Sequence, residues 1–140
     1  MGEFQFLGDD CWRSSAVIGG QTARLDFCRC WDFSAAPTYN AYMRMLNKRR
    51  DEGAVGMKST GRVGLSGLLW CKLEMLKFGA FIAERNGRAS AVIVRWDDNR
   101  RRRVYERGLR DAGFAYRMLS PGGKSTKFLY RKFQIPSRKQ

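Results

Sequence analysis

The chain has no histidine in 140 residues. That absence removes the common catalytic triads, most general-base schemes and the usual imidazole metal ligands. Cysteine is sparse: Cys11, Cys28, Cys30 and Cys71, with no Cys-x-x-Cys spacing among them. A zinc site would draw all four thiolates from three scattered segments, so free thiols and no bound metal or cofactor are expected. On a strand, Cys28 and Cys30 would share one face as small core residues. No run approaches the about 18 apolar residues of a membrane span. The opening Met1-Gly2-Glu3-Phe4-Gln5 lacks the regions of a signal peptide, and Phe6 stands where myristoylation wants Ser or Thr. The expectation is an intracellular, cytoplasmic protein with no membrane association.

Acidic residues are the other scarcity: 13 Asp and Glu face 27 Lys and Arg, a net charge of +14. The imbalance is uneven, because residues 95–140 hold 14 cations and 4 acids. Such self-repulsion is relieved by a polyanion, and nucleic acid is the first partner to expect, although charge alone does not choose it over an anionic membrane surface or an acidic protein. With 44% hydrophobic and 13% aromatic residues, the basic region belongs to a folded domain and not to a disordered arm. The length suits one domain over 1–140.

Periodicity predicts an α+β fold, an antiparallel sheet with two helices. Strands are expected around Phe4–Ile18 and over 23–31, where Leu25 and Phe27 alternate with Arg24 and Asp26. Ser34 and Pro37 suggest a helix start, and Tyr39, Tyr42, Met43 and Leu46 continue it toward Gly53. Five glycines between 53 and 67 read as a loop. Residues 68–78 suit helix or strand, with strand preferred. Asn86-Gly87 between two β-prone runs reads as a hairpin turn. A second helix is expected from Asp98 to Ala112, closing at Gly113, followed by strands over 115–119 and 127–133 around Pro121-Gly122-Gly123. Trp31-Asp32 and Trp96-Asp97 each precede a basic helix and a later Lys-Ser-Thr, a weak ββα-type repeat. This order of elements resembles the sheet-plus-helix repeats of the single-strand-binding Whirly and PUR families, a likeness of element order alone. The alternative is a winged-helix-like C-terminal half, which requires residues 68–78 to be helical.

The candidate binding residues follow the charge: Arg95, Arg100, Arg101, Arg102, Arg103, Arg107, Arg110, Arg117, Lys124, Lys127, Arg131 and Lys132, with Tyr130 interleaved. Arginine suits bidentate phosphate contacts. Positive charge at a helix start opposes the macrodipole, an unfavourable arrangement that a bound anion would offset. On the last strand, Phe128 and Tyr130 would share one face and Lys127, Leu129 and Arg131 the other. Tyr39, Tyr42, Tyr116 and Tyr130 are the aromatics best suited to stacking on bases.

Two motifs fail. Gly122-Gly123-Lys124-Ser125-Thr126 ends like a phosphate-binding loop, but Met118 stands where that pattern needs glycine. Asp26, Asp32, Glu74, Asp97 and Asp98 could be drafted as metal-nuclease carboxylates, without any diagnostic spacing. The expectation is a non-enzymatic protein binding single-stranded DNA or RNA through its backbone, with a homo-oligomer or nucleoprotein complex as the assembly such a protein would join. The alternatives are a structural or inhibitory subunit of a ribonucleoprotein assembly, or a phage-type inhibitor, and a metal-dependent nuclease.

Overall fold

The computed structural model describes residues 4–31, 36–46, 61–95, 99–119 and 126–135. Seven strands, β1 (Gln5–Gly8), β2 (Cys11–Ile18), β3 (Gln21–Cys30), β4 (Thr38–Leu46), β5 (Ser90–Val94), β6 (Ala115–Leu119) and β7 (Thr126–Phe133), form one sheet. The order is β1-β2-β3-β4-β5-β7-β6. Helix α1 (Gly61–Asn86) connects β4 to β5, and α2 (Asn99–Leu109) follows β5. The fold is therefore α+β, with a mixed sheet. Neighbouring strands are antiparallel except β4 and β5, which run parallel across the α1 crossover.

Register sorts the side chains onto two faces. Trp12, Ser14, Leu25, Phe27, Tyr39, Ala41, Val92, Val94, Leu129 and Phe133 turn toward the helices and are buried. From α1 they receive Cys71, Met75, Phe78, Ile82 and Ala83. Those positions recur at three- and four-residue steps, one stripe of a helix. Phe78 stacks on Phe27 with centroids 4.0 Å apart, and Phe4 and Tyr39 meet it edge-on. Burying each such ring contributes about 1.5–3 kcal/mol. Leu109, Ala112 and Phe114, at and beyond the end of α2, enter the same core. Gly108 lets α2 close on α1, since a Cβ there would strike Leu68. Both helices thus lie on one face, and no described helix covers the other.

Several expectations are corrected here. Residues 38–46 are strand and not helix, because β3 pairs along their whole length and β5 pairs with 38–40. Residues 68–78 lie inside α1, as do 79–86, so Asn86-Gly87 ends a helix and makes no hairpin turn. Gly87 takes a left-handed φ of 69° and its N–H bonds the Glu84 carbonyl, as a residue just past a helix end does. Of the glycine-rich stretch, residues 61–67 open α1 and the rest lie outside the described residues. Trp31 leads toward β4 and not into a helix, so the repeat and the element order likened to Whirly and PUR proteins are absent. Although 68–78 are helical, the β6–β7 hairpin is no projecting wing: β7 inserts between β5 and β6. The second helix and the last two strands are found where expected. Ser34, Lys58-Ser59-Thr60, Trp96-Asp97 and Pro121 to Ser125 fall outside the described residues.

Candidate functional site

Strands β4 and β5 run together only briefly. Their register covers Thr38–Ala91, Tyr39–Val92 and Asn40–Ile93, after which β4 continues six residues to Leu46. Hydrogen bonding alternates along an antiparallel strand. Arg29 N–H bonds the Asp10 carbonyl on the β2 side, and Ala91 N–H bonds the Pro37 carbonyl at 2.7 Å. Odd-numbered residues of β4 therefore address β5. Beyond Asn40 the amides of Met43 and Met45 face that side, and no described strand pairs with them. This opens a backbone edge about 20 Å long at about 3.3 Å per residue.

Asn40 marks the point of separation. It is 2% exposed, and its Oδ1 has no hydrogen-bond partner. A buried amide oxygen left unpaired costs about 1–3 kcal/mol, so an unmet acceptor at this place is informative.

Both helices begin at the same end of the sheet. α1 returns antiparallel from the carboxyl end of β4, and its last residue, Asn86, touches Tyr39 and Ser90 at the opposite end. α2 starts beyond the carboxyl end of β5 and has crossed to Leu68 by Gly108. Each helix start leaves about four amide N–H groups without an intrahelical acceptor and carries partial positive charge. Neither first turn holds an acidic residue. Instead α1 opens Gly61-Arg62-Val63-Gly64 and α2 opens Asn99-Arg100-Arg101-Arg102. Glycine at a helix start lets an anion approach the amides closely. The side chains of Arg100, Arg101 and Arg102 lie outside the described residues, though their backbone belongs to α2.

The remaining predicted cations divide between surfaces. Arg103, Arg107 and Arg110 are exposed at i, i+4 and i+7, one stripe leading away from the start of α2. Arg95 is exposed just past β5. Lys127 is exposed on the helix side of β7, whereas Arg117 and Lys132 are exposed on the helix-free side. Tyr130, half-buried on that side, sits under the Arg117 guanidinium at 5.3 Å. Arg131 is held otherwise: it donates to the Ala112 carbonyl at 2.7 Å and lies over Phe133 at 4.4 Å. Its charge fastens the end of α2 to β7. Lys124 lies outside the described residues. Tyr39 is fully buried in the core and drops out as a stacking residue, while Tyr42 is 46% exposed.

Of the drafted carboxylates, Asp32, Asp97 and Asp98 lie outside the described residues, and Asp26 and Glu74 do not converge. Asp26 is held by Arg13 through two bonds of 2.8 and 3.0 Å on the helix-free face. Glu74, on α1, accepts from Ser14 Oγ at 2.6 Å on the other. Among the described residues no group of three or more Cys, Asp or Glu is placed to hold a metal ion. Cys71 is buried, whereas Cys11, Cys28 and Cys30 are half-buried on the helix-free face and not in the core. Burial, with Cys11 alongside, pushes the Cys28 thiol up to about 12, so it stays protonated near neutrality.

Sequence reasoning missed Asn40 and the start of α1. The glycines and Arg62 were visible, but their place at a helix start depended on reading that helix correctly. No described helix is long and apolar enough to cross a membrane. No protein-family profile matches the chain, and comparison with curated proteins and with solved structures gives no match either.

Proposed function

We propose that the chain binds a phosphorylated ligand in the cleft where β4 and β5 separate. The observation that carries this is that both helices begin at one end of the sheet, without acids in their first turns and with arginines in their opening sequences, where β4 runs on beyond β5. Phosphates favour the helix starts, where amide N–H groups and partial positive charge coincide. Crevices outside the carboxyl ends of parallel strands are the usual ligand sites of such sheets. The β4 edge suits an extended arm carrying amide groups, which would bond Met43 and Met45 as an added strand does. Phosphates joined to an amide-bearing arm describe a pantetheine-linked nucleotide such as coenzyme A. This goes beyond the sequence reading, which assigned no cofactor.

The test is calorimetry with coenzyme A, ATP, NAD and pyrophosphate. Coenzyme A is expected to bind tightest, pyrophosphate weakly, and Gly64→Glu to abolish both. Equal, weak binding of all four would refute the arm, and no binding of any would refute the cleft.

A second reading keeps the polyanion expected from the sequence. The exposed stripe Arg103, Arg107 and Arg110 favours it, because the stripe extends beyond what a small ligand in the cleft could reach. Nucleic acid bound there would weaken steeply with salt.

A further inference from the structure

On the helix-free face, Cys11 of β2 and Cys28 of β3 are direct cross-strand partners. The kind of rung they occupy matters, because antiparallel rungs alternate between hydrogen-bonded and non-hydrogen-bonded. Gly19 and Gly20, at φ 59° and 80°, turn β2 into β3 and leave Ile18 facing Gln21. A two-residue turn closes with a hydrogen bond between the residues that flank it, so the Ile18–Gln21 rung is bonded. Alternation then makes the even-numbered rungs of β2 bonded and the odd-numbered ones unbonded. At the far end, the Arg29 N–H bond to the Asp10 carbonyl, at 3.2 Å, agrees with that count. Cys11–Cys28 is therefore an unbonded rung, where Cα atoms stand about 4.5 Å apart and side chains come closest. Disulfides span about 4.4–6.8 Å between Cα atoms, so this rung can be bridged without moving the strands. The two thiols are already hydrogen-bonded to each other.

We propose that Cys11 and Cys28 form a reversible disulfide by exchange with low-molecular-weight disulfides such as oxidised glutathione. Burial first, and Cys11 next, push the Cys28 thiol up to about 12, so it keeps its proton and Cys11 makes the first attack. The Cys11 thiolate bonds one sulfur of the small disulfide, whose S–S bond breaks and releases one small thiolate. The Cys28 thiol then gives its proton to that thiolate, and its sulfur attacks the Cys11 sulfur and expels the second small thiolate. Two protein thiols are oxidised, and one small disulfide is reduced to two thiols. Cys30 is the poorer partner for Cys28, because two residues along one strand stand about 6.6 Å apart, near the limit of a bridge. Cys71 lies in the core on the other face of the sheet. Cys11 and Cys28 are half-buried on a face that no described helix covers, which leaves the bridge open to reduction by small thiols. The same rung continues from Cys28 to Asn40, so the bridge stands one strand away from the parting of β4 and β5.

The experiment treats the reduced full-length protein with oxidised glutathione, alkylates the remaining thiols, and reads intact mass and a tryptic map. Cleavage after Arg13, Arg24 and Arg29 puts Cys11 in peptide 1–13, Cys28 in 25–29 and Cys30 in a third, so each pairing has its own mass. The expected product has lost two hydrogens, joins 1–13 to 25–29 and carries alkylated Cys30 and Cys71. Dithiothreitol should restore both thiols. The same treatment in urea should give mixed pairings, because the register no longer selects one. Cys30→Ser should bridge as the parent does, and Cys28→Ser should stop at a glutathione adduct on Cys11. The parent's own map carries the test should a variant fail to fold. A link from Cys30 to Cys11 or Cys28, a bridge between two chains, or glutathione adducts that never resolve would overturn the assignment. So would thiols that stay unchanged in the folded protein under conditions that oxidise them in urea.

Discussion

The two ends of the β4–β5 pair are built to opposite rules. Where the strands begin, a connected set of side chains pairs its polar groups, with Arg29 Nε left over. Asp10 accepts from Arg29 at 3.1 Å, from the Tyr39 hydroxyl at 2.8 Å and from Trp12 at 3.3 Å. Asn86 donates to the Tyr39 oxygen and to Ser90, which ties the end of α1 to both strands. Where the strands part, Asn40 has an unmet acceptor, and the helices that begin at this end of the sheet carry no acid in their first turns. Electrostatics that stabilise the fold sit at the first end. Electrostatics that strain it sit at the second, and strain of that kind is where a ligand's contribution is expected.

Removing Asp10 should break the comparison most. Asp9 and Asp10 adopt left-handed φ of 50° and 57°, which Asp and Asn tolerate better than other side chains. Asp10→Ala loses that tolerance, three hydrogen bonds and the partner of a largely buried arginine. The expected loss is about 3 kcal/mol in denaturant unfolding. Asp10→Asn, which keeps the turn and one acceptor oxygen, should lose less. Coenzyme A affinity should survive in folded Asp10→Asn, because the cleft lies at the other end.

Gly64→Glu sharpens the contrast from the opposite side. Replacing a helical glycine and adding an acid to the first turn should raise stability by about 1 kcal/mol. The same carboxylate should abolish anion binding. A change that strengthens the fold and removes the ligand is what a strained site predicts. If Gly64→Glu binds coenzyme A as the parent does, the helix start is not part of the site.

How much of this was legible in the sequence depended on whether local signals agreed with the tertiary answer. For α2 and the final strands they did: Gly113 takes φ 88° and Phe128 alternates with Leu129 across β7. For β4 they competed. Tyr39, Tyr42, Met43 and Leu46 fit helical spacing, while both faces of the strand are buried near Tyr39, which hides the period of two. For α1 the stripe Cys71, Met75, Phe78 and Ile82 is divided when 68–78 and 80–85 are taken as separate elements. Asn86-Gly87 then supplied a hairpin signal that serves equally as a helix end. The arginine cluster was legible as charge. Its partner, the strand separation, exists only in the pairing of β4 with β5, which no local pattern encodes.

A pH titration tests the satisfied end more gently. Burial pushes the Tyr39 hydroxyl up to about 12 from an ordinary value of 10, so the folded state holds its proton longer than the unfolded chain. Its contribution is fully present below pH 10 and is lost as pH rises toward 12. Cys71, raised by burial from 9 to about 12, adds in the same direction from pH 9 upward. Tyr39→Phe should flatten the fall between pH 10 and 12, leaving the cysteine part. An unchanged slope would mean the hydroxyl is not held neutral.

The smallest effect on stability, and the most telling, is expected at Asn40. Leucine keeps the branched outline, is larger, and has no polar atom to leave unmet, so relief of the unpaired acceptor offsets the cost of overpacking. Asn40→Leu should therefore change unfolding free energy by no more than about 1 kcal/mol, in contrast to the loss at Asp10. If Oδ1 accepts a hydrogen bond from the ligand, coenzyme A affinity should fall about fivefold in the same variant, the effect of one neutral hydrogen bond of about 1 kcal/mol. A large stability loss with binding intact would make Asn40 a structural residue like Asp10, and the two ends of the strand pair would then obey one rule.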